Sequence, residues 1–361
     1  MSIIGTRPEI IRLSRIFPKL DEKLTHIIVH TGQNYHPKLS EIFFEELDLR
    51  QPDYYLGASI PLQTFGEQIA EILIKTEELL LKLEPDYVLI LGDVNSCLSA
   101  IVAERLQIPV VHMEAGNRCY DLKVPEEINR RIIDHTVSWN LPYTQKSKDN
   151  LLREGIPNER IFLCGNPIKE VITANEKQIR KSKILDKLDI KPKEFFIATS
   201  HRQENVDNKI RLGNIVKGFT DLSSRFELPI IWSVHPRTKN KLNEFKIVVD
   251  NELIEVYEPF GLFDFLKLEK NALGSITDSG TVQEECCLFK VPTVTIRDST
   301  ERPETVECGS NFISGVKPET IVKGMEFMLQ STRDWEIPEG YNLTNVSDRV
   351  TNFILGLMRF M

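Results

Sequence analysis

Four acidic residues lie in or beside loops that follow predicted strands in the first half of the chain: Asp93, Glu114, Glu126 and Glu127. A carboxylate at such a place must be solvated, paired or catalytic, and a positioned carboxylate can move a proton on a carbon atom. Glu114 is flanked by Met113 and by Ala115-Gly116, which predicts that it points into a cleft. The alternative for each acid, taken singly, is a solvent-facing side chain.

Two arginines occupy similar contexts, one in each half of the chain: Gly5-Thr6-Arg7-Pro8-Glu9 and Thr300-Glu301-Arg302-Pro303-Glu304. A proline restricts the backbone of the residue before it to extended or turn-like conformations. A rigidly held guanidinium suits a diphosphate. The alternative is a surface arginine paired with the nearby glutamate.

The turn Ser279-Gly280-Thr281 follows a predicted strand and begins a helix. Such a turn exposes backbone N–H groups and the positive end of the helix dipole, which together can bind a phosphate. Glu285, about one turn into that helix, could accept hydrogen bonds from ribose hydroxyls. The alternatives are an ordinary turn with Ser279 as N-cap and a favourable acid near a helix start.

The sequence lacks the motifs of several common metal-binding, cofactor-binding and catalytic sites. His112, His201 and His235 each follow or end a predicted strand, where a histidine can be structural or catalytic, but no H-x-H or H-E-x-x-H spacing predicts a metal site. No G-x-G-x-x-G, P-loop or G-x-S-x-G motif occurs, so no cofactor is expected. The cysteines form no C-x-x-C pair, which argues against a zinc site or a thioredoxin-type motif. They are Cys97, Cys119, Cys164, Cys286, Cys287 and Cys308.

Composition narrows the function classes further. The 361 residues suit two domains, and a net charge of −8 argues against nucleic-acid binding, which relies on Lys and Arg. No apolar run approaches the length of a membrane span, and the first residues do not form a signal peptide. Scattered cysteines fit a reducing compartment, so a soluble cytoplasmic protein is expected.

Short apolar runs that alternate with helical patterns predict an α/β fold. The strands predicted for the first half are Ser2–Ile4, His26–His30, Tyr87–Leu91 and Val110–His112. Each ends in a polar or glycine-containing segment. Because ligands of parallel sheets bind outside the carboxyl ends of strands, these segments should converge on one site. Leu62–Glu84 is predicted to form a long helix.

The second half repeats this pattern, with strands predicted at Phe195–Thr199, Leu228–Val234, Leu253–Tyr257, Ser275–Ile276 and Thr293–Ile296. Ile210–Phe226 and Val282–Phe289 are predicted helices. The polar stretch Lys169–Lys193 is predicted to connect two domains and to carry one helix on its far side. The C-terminal stretch from Val346 to Met361 has apolar residues at helical spacing and needs a surface to bury against. Two α/β halves facing each other across a cleft form the simplest architecture.

Taken together, these segments resemble the non-hydrolysing bacterial UDP-N-acetylglucosamine (UDP-GlcNAc) 2-epimerases. The matching segments run in the family's order and approximate spacing between about Gly5 and Gly309. They are Gly5–Glu9, Thr31-Gly32-Gln33, Gly92-Asp93, His112–Gly116, Pro125-Glu126-Glu127, Gly165-Asn166, Ser200-His201-Arg202, Asp278-Ser279-Gly280 and Arg297–Glu304.

The resemblance implies the GT-B fold: two Rossmann-like domains facing across a deep cleft, with the C-terminal helix packing back on the first. The implied domains are 1–167 with 345–361, and 168–344. The residues implied in catalysis are Asp93, Glu114, Glu126, His201 and Arg12, the last at a position where the family often has Lys. Those implied in UDP-sugar binding are Arg7, Gln33, Phe265, Ser279, Gly280, Thr281, Glu285 and Arg302. A homodimer without cofactor or metal is the family expectation.

The chemistry of such an enzyme is an elimination. The C2 proton of a 2-acetamido sugar becomes removable when UDP leaves C1, and re-adding UDP after protonation on the other face inverts C2. A GT-B glycosyltransferase and a non-catalytic sugar-nucleotide sensor are the alternatives.

The substrate prediction depends on the loop between Glu114 and Glu126. Asn117-Arg118-Cys119 replaces the family's usual Leu-Arg-Thr, and the Ser-Pro-Trp before Pro125-Glu126-Glu127 is absent. A shortened loop removes donors for a sugar hydroxyl, and an apolar C6 methyl needs none. The segment from Asn117 to Val124 also resembles the branch of the family that makes UDP-N-acetyl-L-fucosamine from its C2 epimer. The loop therefore favours UDP-2-acetamido-2,6-dideoxy-L-talose, converted to UDP-N-acetyl-L-fucosamine, over UDP-GlcNAc. The alternative is a loop that drifted with the substrate unchanged.

Overall fold

Two parallel β-sheets organise the chain. The computed structural model describes residues 1–33, 37–58 and 64–357, without the side chains of 37–41. Two compact units result: Met1–Thr173 with Glu339–Met361, and Ala174–Pro338. The predicted domain ranges, 1–167 with 345–361 and 168–344, differ from these by a few residues at each boundary.

The first unit contains a six-stranded sheet in the order β3-β2-β1-β4-β5-β6. Continuous apolar runs such as Val-Leu-Ile-Leu in β4 are buried throughout, as expected for strands covered on both faces. The strands are β1 (Ser2–Ile4), β2 (Ile28–His30), β3 (Tyr54–Tyr55), β4 (Val88–Leu91), β5 (Val110–Met113) and β6 (Trp139–Leu141).

The second unit contains a sheet in the order β12-β11-β10-β7-β8-β9, again with parallel neighbours. In both sheets the first and fourth strands of the unit lie side by side, which is the Rossmann order and places the switch point between β1 and β4 and between β7 and β10. The strands are β7 (Phe196–Ser200), β8 (Ile230–Val234), β9 (Ile254–Tyr257), β10 (Gly274–Thr277), β11 (Thr293–Thr295) and β12 (Asn311–Ile313).

Helices connect the strands in both units. In the described residues of the first unit they are α1 (Arg7–Leu13), α2 (Phe17–Lys23), α3 (Pro37–Glu46), α4 (Phe65–Leu83), α5 (Ala100–Arg105), α6 (Pro125–Thr136), α7 (Gln145–Arg153), α8 (Ile168–Ala174) and α18 (Val346–Leu357). In the second they are α9 (Glu176–Lys181), α10 (Ile184–Lys187), α11 (Gln203–Val206), α12 (Lys209–Phe226), α13 (Pro236–Phe245), α14 (Leu262–Asn271), α15 (Gly280–Phe289), α16 (Pro303–Glu307) and α17 (Pro318–Gln330). None of these described helices is both long and apolar enough to cross a membrane.

The C-terminal helix α18 belongs to the first unit. Val346, Val350 and Ile354 are buried, and Phe353 stacks on Phe162 with their ring centroids 4.6 Å apart. The last predicted residues of this helix, Met358 and Met361, lie outside the described residues, as does Leu62 at the predicted start of α4.

The predicted α/β class is confirmed, with two kinds of error in detail. The prediction missed β3, β6 and β12, which are all edge strands of two or three residues. An edge strand is covered on fewer sides and needs no continuous apolar run. The prediction of a single helix within Lys169–Lys193 was wrong, because α9 and α10 both lie inside this stretch and α8 overlaps its start.

Candidate active site

The turn after β1 is fixed by a capping box at the start of α1. Glu9 Oε2 accepts hydrogen bonds from the backbone N–H of Gly5 at 2.9 Å and of Thr6 at 2.6 Å, and from the Thr6 hydroxyl at 2.9 Å. Burial raises the pKa of Glu9 to about 7, although these hydrogen bonds oppose the rise. The box holds the backbone of Arg7, whose guanidinium lies 5.4 Å from the centre of the Phe43 ring.

Three loops at the carboxyl edge of the first sheet meet at Gly5. A Cβ on this residue would lie 1.9 Å from Ser96 Oγ and 2.6 Å from Thr31 Oγ1, so only glycine fits. The Thr31 and Ser96 hydroxyls are 2.7 Å apart, and Gln33 Oε1 accepts from the Ser96 N–H at 3.0 Å. Gln33 is therefore fixed at the same sheet edge as Arg7.

Asp93 follows β4 and is held by side chains of α6. Arg130 Nε and Nη2 lie 2.7 and 2.6 Å from Asp93 Oδ2, and the Asn129 amide donates to the Asp93 carbonyl at 2.9 Å. The Arg130 side chain is 3% exposed, whereas that of Asp93 is 18% exposed. The arginine thus fixes the carboxylate from the protein side while part of Asp93 remains open to solvent.

Glu114 directly follows β5 and adopts a left-handed backbone with a φ of 69°. This conformation costs a non-glycine residue roughly 1–2 kcal/mol, so the surroundings must enforce it. The Glu114 side chain is buried and its carboxylate pairs with Arg12 of α1, which is also buried. The Arg12 guanidinium lies 5.7 Å from the centre of the Tyr143 ring. A strained backbone beneath a buried ion pair is typical of a functional position.

The neighbouring strands β4 and β5 bring Asp93 and Glu114 to one edge of the sheet. Leu91 lies opposite Met113 in the parallel register, and the two acids follow two and one residues later. Ligands of parallel sheets bind outside this edge. The structure therefore places two carboxylates, each held by an arginine, at adjacent strand ends.

A buried aspartate of α6, Asp134, supports this edge. The His112 ring has Nε2 2.8 Å from the Gly92 carbonyl oxygen and Nδ1 3.0 Å from Asp134 Oδ1. Arg118 Nη1 lies 2.7 Å from Asp134 Oδ2, and the Gly116 N–H donates to the same oxygen at 3.1 Å. Burial raises the pKa of Asp134, but His112 and Arg118 outweigh burial and lower it. Arg118, in the loop between Glu114 and Glu126, thus binds that loop to the buried Asp134.

The adjacent glutamates at the start of α6 have different surroundings. The buried Glu127 carboxylate accepts hydrogen bonds from the backbone N–H of Cys119 at 3.0 Å and of Tyr120 at 3.2 Å, and from Arg130 at 2.9 Å. Glu126 is only partly buried, in the first turn. Glu127 therefore shapes the loop before α6, and Glu126 remains the candidate for chemistry.

In the second unit, a buried aspartate orients His201. Asp278 accepts hydrogen bonds from the backbone N–H of His201 at 3.0 Å and of Arg202 at 3.0 Å, and from the Asn205 amide at 3.1 Å. Burial raises the pKa of Asp278, but the His201 ring, the Arg202 N–H and the Asn205 amide together lower it to about 2. The His201 Nδ1 lies 3.2 Å from Asp278 Oδ1, and 39% of the side chain is exposed. The exposed part of the ring is available to a ligand.

Arg302 precedes α16 and is only 4% exposed. Its guanidinium pairs with the buried Glu284 of α15, and its backbone N–H donates to Thr300 Oγ1 at 3.0 Å. The alternative of a surface arginine paired with the nearby glutamate is therefore wrong for Arg302. Its orientation is set by the contact with α15.

The turn before α15 lies against a cluster of charges. A Cβ on Gly280 would lie 2.7 Å from Glu301 Oε1 and 3.5 Å from Arg302 Cζ. Glu301 also accepts from Arg297 Nη1 at 2.6 Å and from Arg202 Nη2 at 3.0 Å. The predicted phosphate turn and Arg302 are thus brought together, with two more arginines beside them.

The remaining candidates lie along α14 and α15. Ser279 is the N-cap residue of α15, and Thr281 is in its first turn. Glu285 is 3% exposed and contacts Glu269 of α14, whose pKa burial and Glu285 together raise well above the ordinary value. Phe265 packs, partly buried, against the core beneath α14.

Comparison with known proteins assigns the family. A family model described as UDP-N-acetylglucosamine 2-epimerase matches residues 19–355. The chain is also 45% identical over 346 residues to a UDP-N-acetylglucosamine 2-epimerase of Methanocaldococcus jannaschii, which covers 94% of each chain. The chain belongs to the non-hydrolysing UDP-N-acetylglucosamine 2-epimerase family. It is an isomerase, as the sequence resemblance predicted.

Structural comparison confirms the GT-B class of this epimerase. A crystal structure of the Methanocaldococcus jannaschii UDP-GlcNAc 2-epimerase in complex with UDP-GlcNAc and UDP matches it with a TM-score of 0.94 at 43% identity, covering 98% of this chain and 99% of that chain. A UDP-2,3-diacetamido-2,3-dideoxy-D-glucuronate 2-epimerase of Pseudomonas aeruginosa is 34% identical over 92% of each chain. The family thus includes more than one substrate.

Several side chains that orient the candidate catalytic and binding residues of this epimerase were not predicted from the sequence. Arg130, Asp134 and Glu284 lie inside helices, and only the spacing of Glu127 and Arg130, three positions apart on one helix face, was a usable signal. Among the described residues, no three His, Cys, Asp or Glu side chains are grouped so as to hold a metal ion.

Proposed function

We propose that this epimerase interconverts UDP-GlcNAc and UDP-N-acetylmannosamine by eliminating UDP and adding it back. The observation that carries the proposal is the pair of carboxylates at adjacent strand ends, Asp93 and Glu114, each held by an arginine. Relatives at 45% and 41% identity named UDP-N-acetylglucosamine 2-epimerase support the substrate.

The proposed reaction begins when a carboxylate of the first unit removes the C2 proton as the bond between C1 and the diphosphate oxygen breaks. The electron pair of the C2–H bond forms the C1–C2 double bond, and UDP leaves with the electrons of the C1–O bond. The products are a 2-acetamidoglycal and UDP. A second acid, on the opposite face, then protonates C2 while UDP re-adds at C1, which inverts C2. Asp93, Glu114, Glu126 and His201 are the proposed acid and base groups.

The departing diphosphate gains negative charge during elimination and therefore needs cations. Arg302 and the N–H groups of the turn Ser279–Thr281 are proposed to bind it in the second unit, with Arg7 from the first. Glu285 is proposed to accept hydrogen bonds from the ribose, and Phe265 to face the uracil. Buried partners fix Arg302 and Glu285 in advance, so they lose little freedom on binding.

Because the loop is shortened, the 6-deoxy-L-talose derivative is proposed as a second candidate substrate. In the structure this loop is held from within the protein: Arg118 pairs with Asp134 and Glu154, and Glu127 accepts from Cys119 and Tyr120. Its polar groups thus have structural roles that suit either substrate. The names of the relatives therefore favour UDP-GlcNAc over the substrate that loop length alone favoured.

Incubating both nucleotides with the protein side by side tests the proposed function. We expect UDP-GlcNAc to be converted with a kcat/KM at least about tenfold higher than the 6-deoxy-L-talose derivative. A reversed preference would overturn the substrate and leave the elimination standing. Conversion that requires an added acceptor would indicate a glycosyltransferase, and binding without conversion a sensor.

The elimination predicts one deuterium at C2 when the reaction runs in deuterated water. The acids that protonate the glycal exchange with solvent, so mass spectrometry should show product heavier by one deuteron, and proton NMR should show loss of the H2 signal. Epimerised product that retains hydrogen at C2 throughout would contradict this mechanism.

Arg302→Ala is expected to weaken UDP binding at least about tenfold, measured by calorimetry, because a buried guanidinium prepared for the diphosphate is removed. Arg302→Lys keeps the charge but not the planar fork, so a smaller loss is expected. Arg225→Ala removes a 65% exposed arginine of the same unit and serves as the matched control. UDP affinity equal to that of the control would remove Arg302 from the proposed site.

A further inference from the structure

Two cysteines far apart in the sequence meet in the second unit. Cys287 lies in the last turn of α15, and Cys308 immediately follows α16. Their sulfur atoms are 3.8 Å apart, and neither forms a disulfide. The absence of a C-x-x-C motif had argued against a redox site, but 21 positions of chain separate these two thiols, and only the packing of α16 on α15 brings them together.

The two thiols differ in exposure and in ionisation. Cys308 is partly exposed, whereas Cys287 is buried. The hydrogen bond between the Cys287 and Cys308 sulfur atoms, together with Ser310, lowers the pKa of Cys308, and the same hydrogen bond raises the pKa of Cys287. The Cys308 sulfur is 3.3 Å from Ser310 Oγ. The exposed member of the pair is thus the nucleophile, and the buried member is the thiol placed to resolve its oxidised form.

We propose that Cys308 and Cys287 form an oxidation site, in which a peroxide converts the two thiols into a disulfide that ties α16 to α15. The Cys308 thiol loses its proton, and the thiolate attacks a peroxide oxygen. The O–O bond breaks, Cys308 becomes a sulfenic acid, and the departing hydroxide takes up the proton that the thiol released and leaves as water. The Cys287 sulfur then attacks the sulfenic sulfur, its proton leaves with the displaced hydroxide as a second water, and the S–S bond forms. The two sulfur atoms lose two electrons, which reduce the peroxide, and a dithiol reverses the change.

The disulfide would act on the nucleotide residues of the same unit, and this consequence rests on the proposed function. A disulfide requires the sulfur atoms to approach from 3.8 Å to about 2.05 Å. α15 carries Glu284 and Glu285, and α16 begins directly after Arg302. Because α16 has only five residues, drawing its end toward α15 shifts the Arg302–Glu284 pair at its start. Oxidation should therefore weaken UDP binding.

The first experiment tests the disulfide without reference to activity. The full chain is treated with hydrogen peroxide, the remaining thiols are alkylated, and peptides are mapped by mass spectrometry. We expect a Cys287–Cys308 linkage that dithiothreitol removes. Cys119→Ser removes the other partly exposed thiol and should leave the linkage intact. In Cys287→Ser, Cys308 should instead accumulate as sulfenic acid, trapped by dimedone. Wild-type Cys308 that stops at sulfenic acid, or that resists peroxide, would overturn the proposal.

The second experiment measures UDP affinity by calorimetry in the reduced and the oxidised chain. At least a threefold loss on oxidation, restored by dithiothreitol and absent in Cys308→Ser, is expected. A disulfide that forms with no change in UDP affinity would overturn the coupling to the nucleotide residues. Reduced protein that does not bind UDP would instead contradict the proposed function, so the two failures are distinguishable.

Discussion

Glu114→Gln is expected to lower kcat by at least about 10²-fold while UDP affinity stays nearly unchanged. The amide keeps the size and shape of the side chain but cannot take up or release a proton at C2. Glu114 lies in the first unit beside Arg12, whereas the residues proposed to bind UDP are mainly in the second, so nucleotide affinity should not follow kcat. Steady-state kinetics with UDP-GlcNAc and calorimetry with UDP measure the two quantities.

The same substitution also weakens a buried ion pair, so folding must be checked. Removing one partner of such a pair can cost about 3–5 kcal/mol, because the other charge remains buried. Denaturant unfolding should show a folded variant with reduced stability, and kinetics are compared at a temperature where it is folded. Glu159→Gln, an exposed glutamate of the first unit, should behave as wild type. A folded Glu114→Gln variant with normal turnover would remove Glu114 from the chemistry.

His201→Asn is expected to produce a loss of kcat of similar size, at least about 10²-fold, again with UDP affinity nearly intact. Asparagine can still form hydrogen bonds but cannot transfer a proton at neutral pH. Asp278 fixes the His201 ring through Nδ1, and the backbone N–H groups that Asp278 also binds remain in the variant. The expected loss is therefore chemical and not a collapse of the loop after β7.

His135→Asn is the matched control, because His135 is exposed on α6 and away from the strand ends. It should retain wild-type turnover. A His201→Asn variant whose UDP dissociation constant rises as much as its kcat falls would indicate that His201 binds the nucleotide and does not transfer a proton.

The sequence alone determined most of the framework. Fully buried strands such as β4 are continuous apolar runs, and a run of this kind has few alternatives in an α/β chain. Polar residues directly after such runs must lie at the carboxyl edge of a parallel sheet, so the positions of Asp93, Glu114 and His201 at strand ends follow from the order of residues along the chain. The order of the motifs along the chain was sufficient to identify the family.

Only the tertiary structure decided which groups stand beside one another. Residue type and spacing alone did not separate Glu126 from Glu127, and only the family resemblance singled out Glu126. Adjacent helical residues point in different directions, and the burial of each depends on what packs there. The partners of Glu114 and Arg302 are Arg12 and Glu284, both distant in sequence. The pattern of residues within one segment indicates whether the segment is apolar and which of its faces is buried. The partner of a buried charge or thiol is set by a second segment, whose position depends on how the whole unit packs.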